Sequence, residues 1–202
     1  MDTTAMRSAN PAVLPRGYGK LFTLNLQKDK KAALLVNGIS LSLMLFFGVL
    51  GHLVVPVSTL FDMTGGLLSY LIRFALLLGG MAAYIVLHEL VHGVCIAQFS
   101  GVRPSYVFNG MYAYAGSTAY FSRTYYIIIA LAPIVVWGIV LQVICAITPA
   151  SWFWIPWFIQ VTNLSGAAGD LYVTWRFTSL PADILINDTG VEMTVFGRQT
   201  QA

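Results

Sequence analysis

Two histidines and a glutamate near the middle of the chain have a spacing that suits metal chemistry. His88, Glu89 and His92 form an H-E-x-x-H motif in a chain that has three histidines in all. On an α-helix, residues i and i+4 share one face, so both imidazoles can reach one metal ion. Glu89 stands beside them, where a carboxylate can take a proton from a metal-activated water. The motif therefore predicts a catalytic metal centre.

The composition predicts that this motif lies in a membrane protein. The 202 residues are 57% hydrophobic and only 9% charged, whereas soluble domains carry about 25% charged residues. Such a chain has more apolar surface than a soluble core can bury, which indicates a polytopic membrane protein with the lipid bilayer as a partner. No basic stripe interleaved with aromatic residues is present, so nucleic acid is not expected as a partner.

Four apolar segments are long enough to span a bilayer. They cover residues 32–55, 66–99, 124–148 and 152–176, and each meets the requirement of about 20 residues for a spanning helix. Ten of the eleven Lys and Arg residues fall on one side of this arrangement. The positive-inside rule then predicts a multi-pass protein of the plasma membrane with both termini in the cytoplasm. Arg73 is the exception, and we expect it to extend to the outer interface, with a buried functional role as the alternative.

Short strands are predicted outside the apolar segments. Residues 102–108 and 111–115 flank Asn109-Gly110, the dipeptide that best fits a two-residue hairpin turn. Residues 116–121, and residues 21–26 before the first helix, are candidates for further pairing, and residues 184–186 and 191–196 indicate strands in the tail. We expect an all-α membrane protein of about four transmembrane helices, with a small cytoplasmic β-hairpin and a short β-like C-terminal tail.

The expected organisation has three parts. Residues 1–31 form a cytoplasmic N-terminal segment, residues 32–176 form the membrane domain with the hairpin at 102–121, and residues 177–202 form a cytoplasmic tail. The second apolar segment descends towards the cytoplasm, so His88 and His92 are expected near the cytoplasmic face.

A third metal ligand is needed, because a catalytic zinc ion takes three protein ligands and keeps one position for water. Asp170 lies in the fourth segment at a depth similar to that of His92, and it and Glu89 are the acids of the four segments. A carboxylate there is costly unless it is paired or bound to metal. We therefore expect Asp170 to bind zinc, the alternative being a carboxylate that extends to the interface or pairs with Arg176. The remaining candidates are His52, Asp62, Asp183, Asp188 and Glu192.

Asn163 precedes Asp170 by two helical turns, so both side chains are expected on one face. An amide there can hold a substrate backbone or support a developing oxyanion. A hydrogen bond between helices is the alternative role.

These residues resemble the site-2 protease class of intramembrane zinc metalloproteases, and more closely a small family of membrane zincin peptidases. The resemblance rests on the His88–His92 motif, the polar hairpin that follows, the stretch ending at Pro133, and Asn163 with Asp170. It implies that His88, His92 and Asp170 bind Zn²⁺, that Glu89 is the catalytic base, and that Asn163 binds substrate. The chain departs from the class in having no proline between Asn163 and Asp170.

Motif, composition and resemblance together predict a zinc-dependent intramembrane endopeptidase. Its substrate would be a membrane protein or peptide, cleaved near the cytoplasmic face. Two alternatives are a zinc-dependent membrane hydrolase that does not cut peptides, and a catalytically silent scaffold or metal-binding protein. Glu89 argues against the last, since a metal site without catalysis needs no base.

Overall fold

Three long apolar helices dominate the chain, whose structure is a computed structural model describing residues 9–108 and 113–199. They are α1 (Lys30–Val54), α2 (Gly66–Ser100) and α3 (Arg123–Ile147). Within the described residues these three are long and apolar enough to cross a membrane. The first three predicted segments are therefore confirmed as helices, each to within two residues at either end. The protein is mostly helical, with 61% of the described residues in helices.

The fourth predicted segment is two helices rather than one. α4 (Trp154–Gly166) and α5 (Ala168–Thr178) meet at Ala167, whose φ of −82° and ψ of 15° leave the helical region. The break falls between Gly166 and Gly169, and glycine costs about 1 kcal/mol relative to alanine inside a helix. The expectation of one continuous helix was wrong here because local glycine content outweighed the apolar pattern. The break gives α5 an N-terminus of its own.

Four short strands form one antiparallel sheet. In spatial order they are β1 (Tyr18–Leu24), β6 (Met193–Arg198), β5 (Leu185–Asp188) and β4 (Tyr120–Ser122). The turn between β5 and β6 contains Gly190 at a φ of +84°, a conformation that favours glycine. The two predicted tail strands are confirmed, and the predicted extended pieces near residues 21 and 120 supply the two edges.

A separate two-stranded hairpin follows α2. It comprises β2 (Ser105–Phe108) and β3 (Ala113–Gly116), paired in register from Ser105 opposite Gly116 to Phe108 opposite Ala113. The predicted strand pair is thus confirmed. The predicted Asn109-Gly110 turn lies outside the described residues, as do Met111 and Tyr112.

The chain divides into two compact units. The first, here called the sheet unit, comprises the chain up to Leu34, Glu89–Ala132 and the chain from Gly169 onward, and it contains the six strands of the described residues. Its core is apolar, and Phe121, Phe177, Ile186 and Val195 are each at most 1% exposed. This core explains why the tail folds back: Phe121 lies opposite Ile186, and Ile186 opposite Val195, so the strand pairs bury their own side chains.

The second, here called the aromatic unit, comprises Leu35–His88 and Pro133–Ala168. Its core is built on Phe153, Trp154 and Trp157, and the rings of Phe153 and Trp157 stack with centroids 5.3 Å apart. Arg73, expected at the outer interface, is instead 4% exposed and donates hydrogen bonds to the carbonyls of Thr59, Asp62 and Ser151. Its charge is therefore used to hold the loops of this unit.

Candidate metal centre

Helix α2 presents the three residues of the motif on one surface. Ligand atoms of His88, Glu89 and His92 lie within 4.8 Å of one another, as the i and i+4 spacing requires. All three side chains are half-buried. The motif therefore forms a cluster that can hold a metal ion.

Asp170 lies beside this cluster in the sheet unit. Its Oδ2 atom is 3.7 Å from Nε2 of His92, and the two side chains are 24% and 12% exposed. Two ligand atoms, each about 2.0–2.2 Å from a tetrahedral zinc ion, lie about 3.4 Å apart, so this distance suits shared coordination. Asp170 is in the first turn of α5, where the helix dipole favours a carboxylate. The helix break at Ala167 is what creates that first turn.

His88 is held from its Nδ1 side. That atom is 2.8 Å from the hydroxyl of Tyr84, one turn earlier on α2. The Tyr84 hydroxyl in turn donates to Oδ1 of Asn163 on α4, at 2.9 Å. Because Nδ1 is engaged here, Nε2 is the nitrogen of His88 that can ligate a metal.

The Nδ1 atom of His92 is also held by a hydrogen bond, but its partner is a main-chain carbonyl. Its Nδ1 atom is 2.9 Å from the carbonyl oxygen of Ile129 on α3. A carbonyl can only accept a hydrogen bond, so Nδ1 carries a proton, and Nε2 is the nitrogen that can ligate a metal. Nε2 is also the atom that faces Asp170.

A second carboxylate approaches the sheet-unit half of the site from β5. Asp188 accepts hydrogen bonds from the Tyr126 hydroxyl at 2.5 Å and from the Gly190 N–H at 2.7 Å. Burial raises the pKa of the Asp188 carboxyl above its usual range, and the two hydrogen bonds and the charge of His92 oppose that rise. Asp188 and Asp170 are also close enough to repel each other electrostatically. The folded-back tail thus adds an acid to the surroundings of the site.

The other predicted residues have different surroundings. Asn163 is 0% exposed, and its Nδ2 atom donates to Oε1 of Gln160 at 3.2 Å. The predicted contact of Asn163 with substrate stays a prediction. Nδ1 of His52 accepts the Val57 N–H at 3.1 Å within the loop after α1, and Glu192 is exposed in the β5–β6 turn.

Sequence reasoning missed two residues around the motif, Tyr84 and Tyr126, and it named Asp188 only among the remaining candidates. Tyr84 was detectable, because it lies four residues before His88 and so shares its helical face. Tyr126 had no such signal, since its contact with Asp188 forms only when the tail packs on α3.

The chemistry of this donor set fits a divalent metal ion. Nε2 of His92 and a carboxylate oxygen of Asp170 face each other at 3.7 Å, and a second imidazole and Glu89 belong to the same cluster. Lone pairs that converge in a half-buried place repel one another unless a cation lies among them. Two imidazoles and one carboxylate are a ligand set that catalytic zinc sites use.

Comparison with known protein families gives a match that covers the motif. A family described as "Putative zincin peptidase" matches residues 81–185, which include the whole H-E-x-x-H motif and Asp170. Neither the search of curated proteins nor that of solved structures returned a match. The matched region covers just over half of the chain and contains the cluster that can hold a metal. The chain therefore belongs to the family of putative zincin peptidases.

Proposed function

We propose that the protein is a zinc-dependent intramembrane endopeptidase that hydrolyses peptide bonds of membrane-associated substrates near the cytoplasmic face. Family membership supports a zinc-dependent peptidase. The observation that carries the finer proposal is the position of the motif: His88, Glu89 and His92 lie in α2, a helix long and apolar enough to cross a membrane.

The surface of the helices supports a lipid environment. Large apolar side chains on all three long helices are more than half exposed, among them Phe46, Leu53, Leu78, Val86, Ile139 and Ile147. A soluble monomer rarely exposes so many without a partner that covers them. A bilayer is the partner that suits apolar faces on several helices at once.

The catalytic roles follow from the cluster. His88, His92 and Asp170 would hold the zinc ion, which polarises the scissile carbonyl and lowers the pKa of water towards about 7. Glu89 lies beside the ligands on the same helix, and its carboxylate accepts the proton of the attacking water. The same carboxylate then delivers that proton to the leaving amine.

The β2–β3 hairpin supports an extended peptide as the substrate. All four residues of β2 are exposed, and within the described residues β2 pairs only with β3, so its other edge can accept a strand. The hairpin also packs beside the motif: a Cβ built on Gly93 would overlap the Tyr106 phenol. An added strand would therefore run close to His92, the neighbour of Gly93.

Replacing the base tests the proposed chemistry. Glu89→Gln keeps the size of the side chain but removes the group that accepts the proton, so we expect unchanged zinc content and a loss of peptide cleavage of about 10²–10⁴-fold. The measurement is zinc analysis of the purified protein together with cleavage of a panel of model transmembrane peptides in proteoliposomes. Glu192→Gln, which alters the exposed second glutamate, is the control and should cleave normally. Full activity of Glu89→Gln would refute the assignment.

Replacing the third ligand tests the composition of the metal site. Asp170→Ala removes the oxygen that faces His92, so we expect zinc affinity to fall by at least about 100-fold in a chelator competition, since a catalytic zinc ion needs three protein ligands. Asp183→Ala serves as the control because Asp183 is exposed. Unchanged zinc affinity in Asp170→Ala would mean that another residue completes the site.

Displacing the hairpin tests its part in substrate binding. Gly93→Ala places a methyl group where the Tyr106 phenol lies, so the Tyr106 side chain must lose its contact between the hairpin and α2. We expect unchanged zinc content and a rise of about tenfold or more in KM for transmembrane peptides. Gly79→Ala, on the same helix with nothing within 4 Å of the added atom, should match the wild type. An unchanged KM in Gly93→Ala would exclude the hairpin from substrate binding.

A further inference from the structure

A chain of hydrogen bonds in the aromatic unit begins at His88 and ends at the main chain. Nδ1 of His88 lies 2.8 Å from the Tyr84 hydroxyl, which lies 2.9 Å from Oδ1 of Asn163. Nδ2 of Asn163 lies 3.2 Å from Oε1 of Gln160, whose Nε2 lies 3.1 Å from the Gly138 carbonyl. Four hydrogen bonds thus connect the metal motif to the backbone of α3.

The direction of every bond in this chain follows from its last member. The Gly138 carbonyl can only accept, so Gln160 must offer its NH₂ group there and its oxygen to Asn163. Asn163 must then turn its NH₂ group towards Gln160 and its oxygen towards Tyr84. The single proton of Tyr84 goes to that oxygen, which leaves the Tyr84 oxygen as an acceptor. His88 must therefore carry its proton on Nδ1.

We propose that Gln160, Asn163 and Tyr84 are positioning residues that impose the Nδ1–H tautomer on His88. The proposal rests on the proposed function in one respect: zinc would be bound by the unprotonated Nε2 that this tautomer creates. Reversing any one bond would bring two acceptor atoms face to face, at separations of 2.8–3.2 Å.

Tyr84, Asn163 and Gln160 are here called the relay. Their burial makes the reversal of any of these hydrogen bonds costly. Tyr84 and Gln160 are each 5% exposed and Asn163 is 0% exposed, so solvent does not replace a misdirected bond. A second acceptor reinforces the orientation of Asn163, because its Nδ2 atom also lies 3.4 Å from the Ile134 carbonyl. This gives Asn163 a role that needs no contact with substrate.

The tautomers can be read directly by nitrogen NMR of the zinc-free protein, with ¹⁵N-labelled histidine rings in detergent micelles at a pH where the rings are neutral. The three histidines provide an internal contrast. His52 accepts the Val57 N–H on Nδ1 and should be the Nε2–H tautomer, whereas His88 and His92 should be Nδ1–H. Single His→Gln variants assign the signals. A wild-type His88 in the Nε2–H form would overturn the proposal.

Tyr84→Phe removes only the hydroxyl group that joins His88 to the relay. We expect the Nε2–H tautomer of His88 to appear in the zinc-free protein and zinc affinity to fall by about 10–100-fold, the usual effect of losing an outer hydrogen bond of a metal ligand. Asn163→Leu should shift the same His88 signals. Tyr70→Phe, a hydroxyl removal elsewhere on α2 where Tyr70 packs on Phe74, should change neither quantity.

The outcomes separate the relay from the zinc proposal. If His88 keeps its Nδ1–H form in Tyr84→Phe and in Asn163→Leu, the relay is refuted whatever the zinc content. If the tautomer shifts as expected but the wild type binds no zinc, the relay stands and the proposed function fails.

An independent observation concerns His92. Pro133 lies inside α3, and a proline has no N–H to donate to the carbonyl four residues earlier. That carbonyl belongs to Ile129, and it is the one that accepts Nδ1–H of His92 at 2.9 Å. We infer that Pro133 is a positioning residue, because it has no N–H group that would compete with His92 for the Ile129 carbonyl.

Pro133→Ala restores a competing N–H within α3. We expect a mixture of His92 tautomers in the zinc-free protein and a loss of zinc affinity of about tenfold. Pro156→Ala is the matched control, because Pro156 is also buried but lies in the first turn of α4, where a proline interrupts no helical hydrogen bond. A single Nδ1–H tautomer of His92 in Pro133→Ala would overturn the inference.

Discussion

An imidazole binds a metal ion through a ring nitrogen that carries no proton, so the hydrogen bond at the other nitrogen decides which atom can be the ligand. On α2 both histidines present Nε2, because Nδ1 of each is held by a hydrogen bond: that of His88 by Tyr84 and that of His92 by the Ile129 carbonyl. An imidazole in an apolar helix has few such partners, and an unsatisfied polar group there is expensive. The features that supply these partners, a tyrosine one turn away and a proline within a neighbouring helix, are therefore as much part of the site as the motif.

The break in the fourth apolar segment also lowers the cost of placing a polar group in an apolar setting. A carboxylate within a continuous apolar helix is costly to ionise. The interruption at Ala167 places Asp170 in the first turn of α5 instead, where backbone N–H groups and the helix dipole stabilise its charge. The small residues around the break, which weaken the helix, are thus what makes an ionised ligand tolerable beside His92.

The sequence predicted the parts of this arrangement that depend on local pattern. The length and apolar character of the segments located α1, α2 and α3, and alternation located the tail strands. The scarcity of acids in the apolar segments pointed to Asp170, which lies 3.7 Å from His92. It did not predict the helix break, because residues 152–176 together are long enough and apolar enough for one spanning helix. Nor did it predict Asp188 beside Tyr126, a contact that depends on β5 pairing with β4 and β6.

The imposed tautomers have a consequence for how the site responds to protons. With Nδ1 of each histidine engaged, Nε2 of His92 lies 3.7 Å from a carboxylate oxygen of Asp170, and His88 and Glu89 belong to the same cluster. A cation stabilises this group of nitrogen and oxygen atoms. A proton and a zinc ion compete for the same atoms, because metal ligands must be deprotonated. Zinc affinity should therefore weaken as the pH falls. The buried relay restricts the competition between a proton and zinc to Nε2 of His88. The Nδ1 atom already carries a proton and cannot take up another. The hydrogen bonds that orient the ligands thus also confine proton exchange at the histidines to the atoms that would bind the metal.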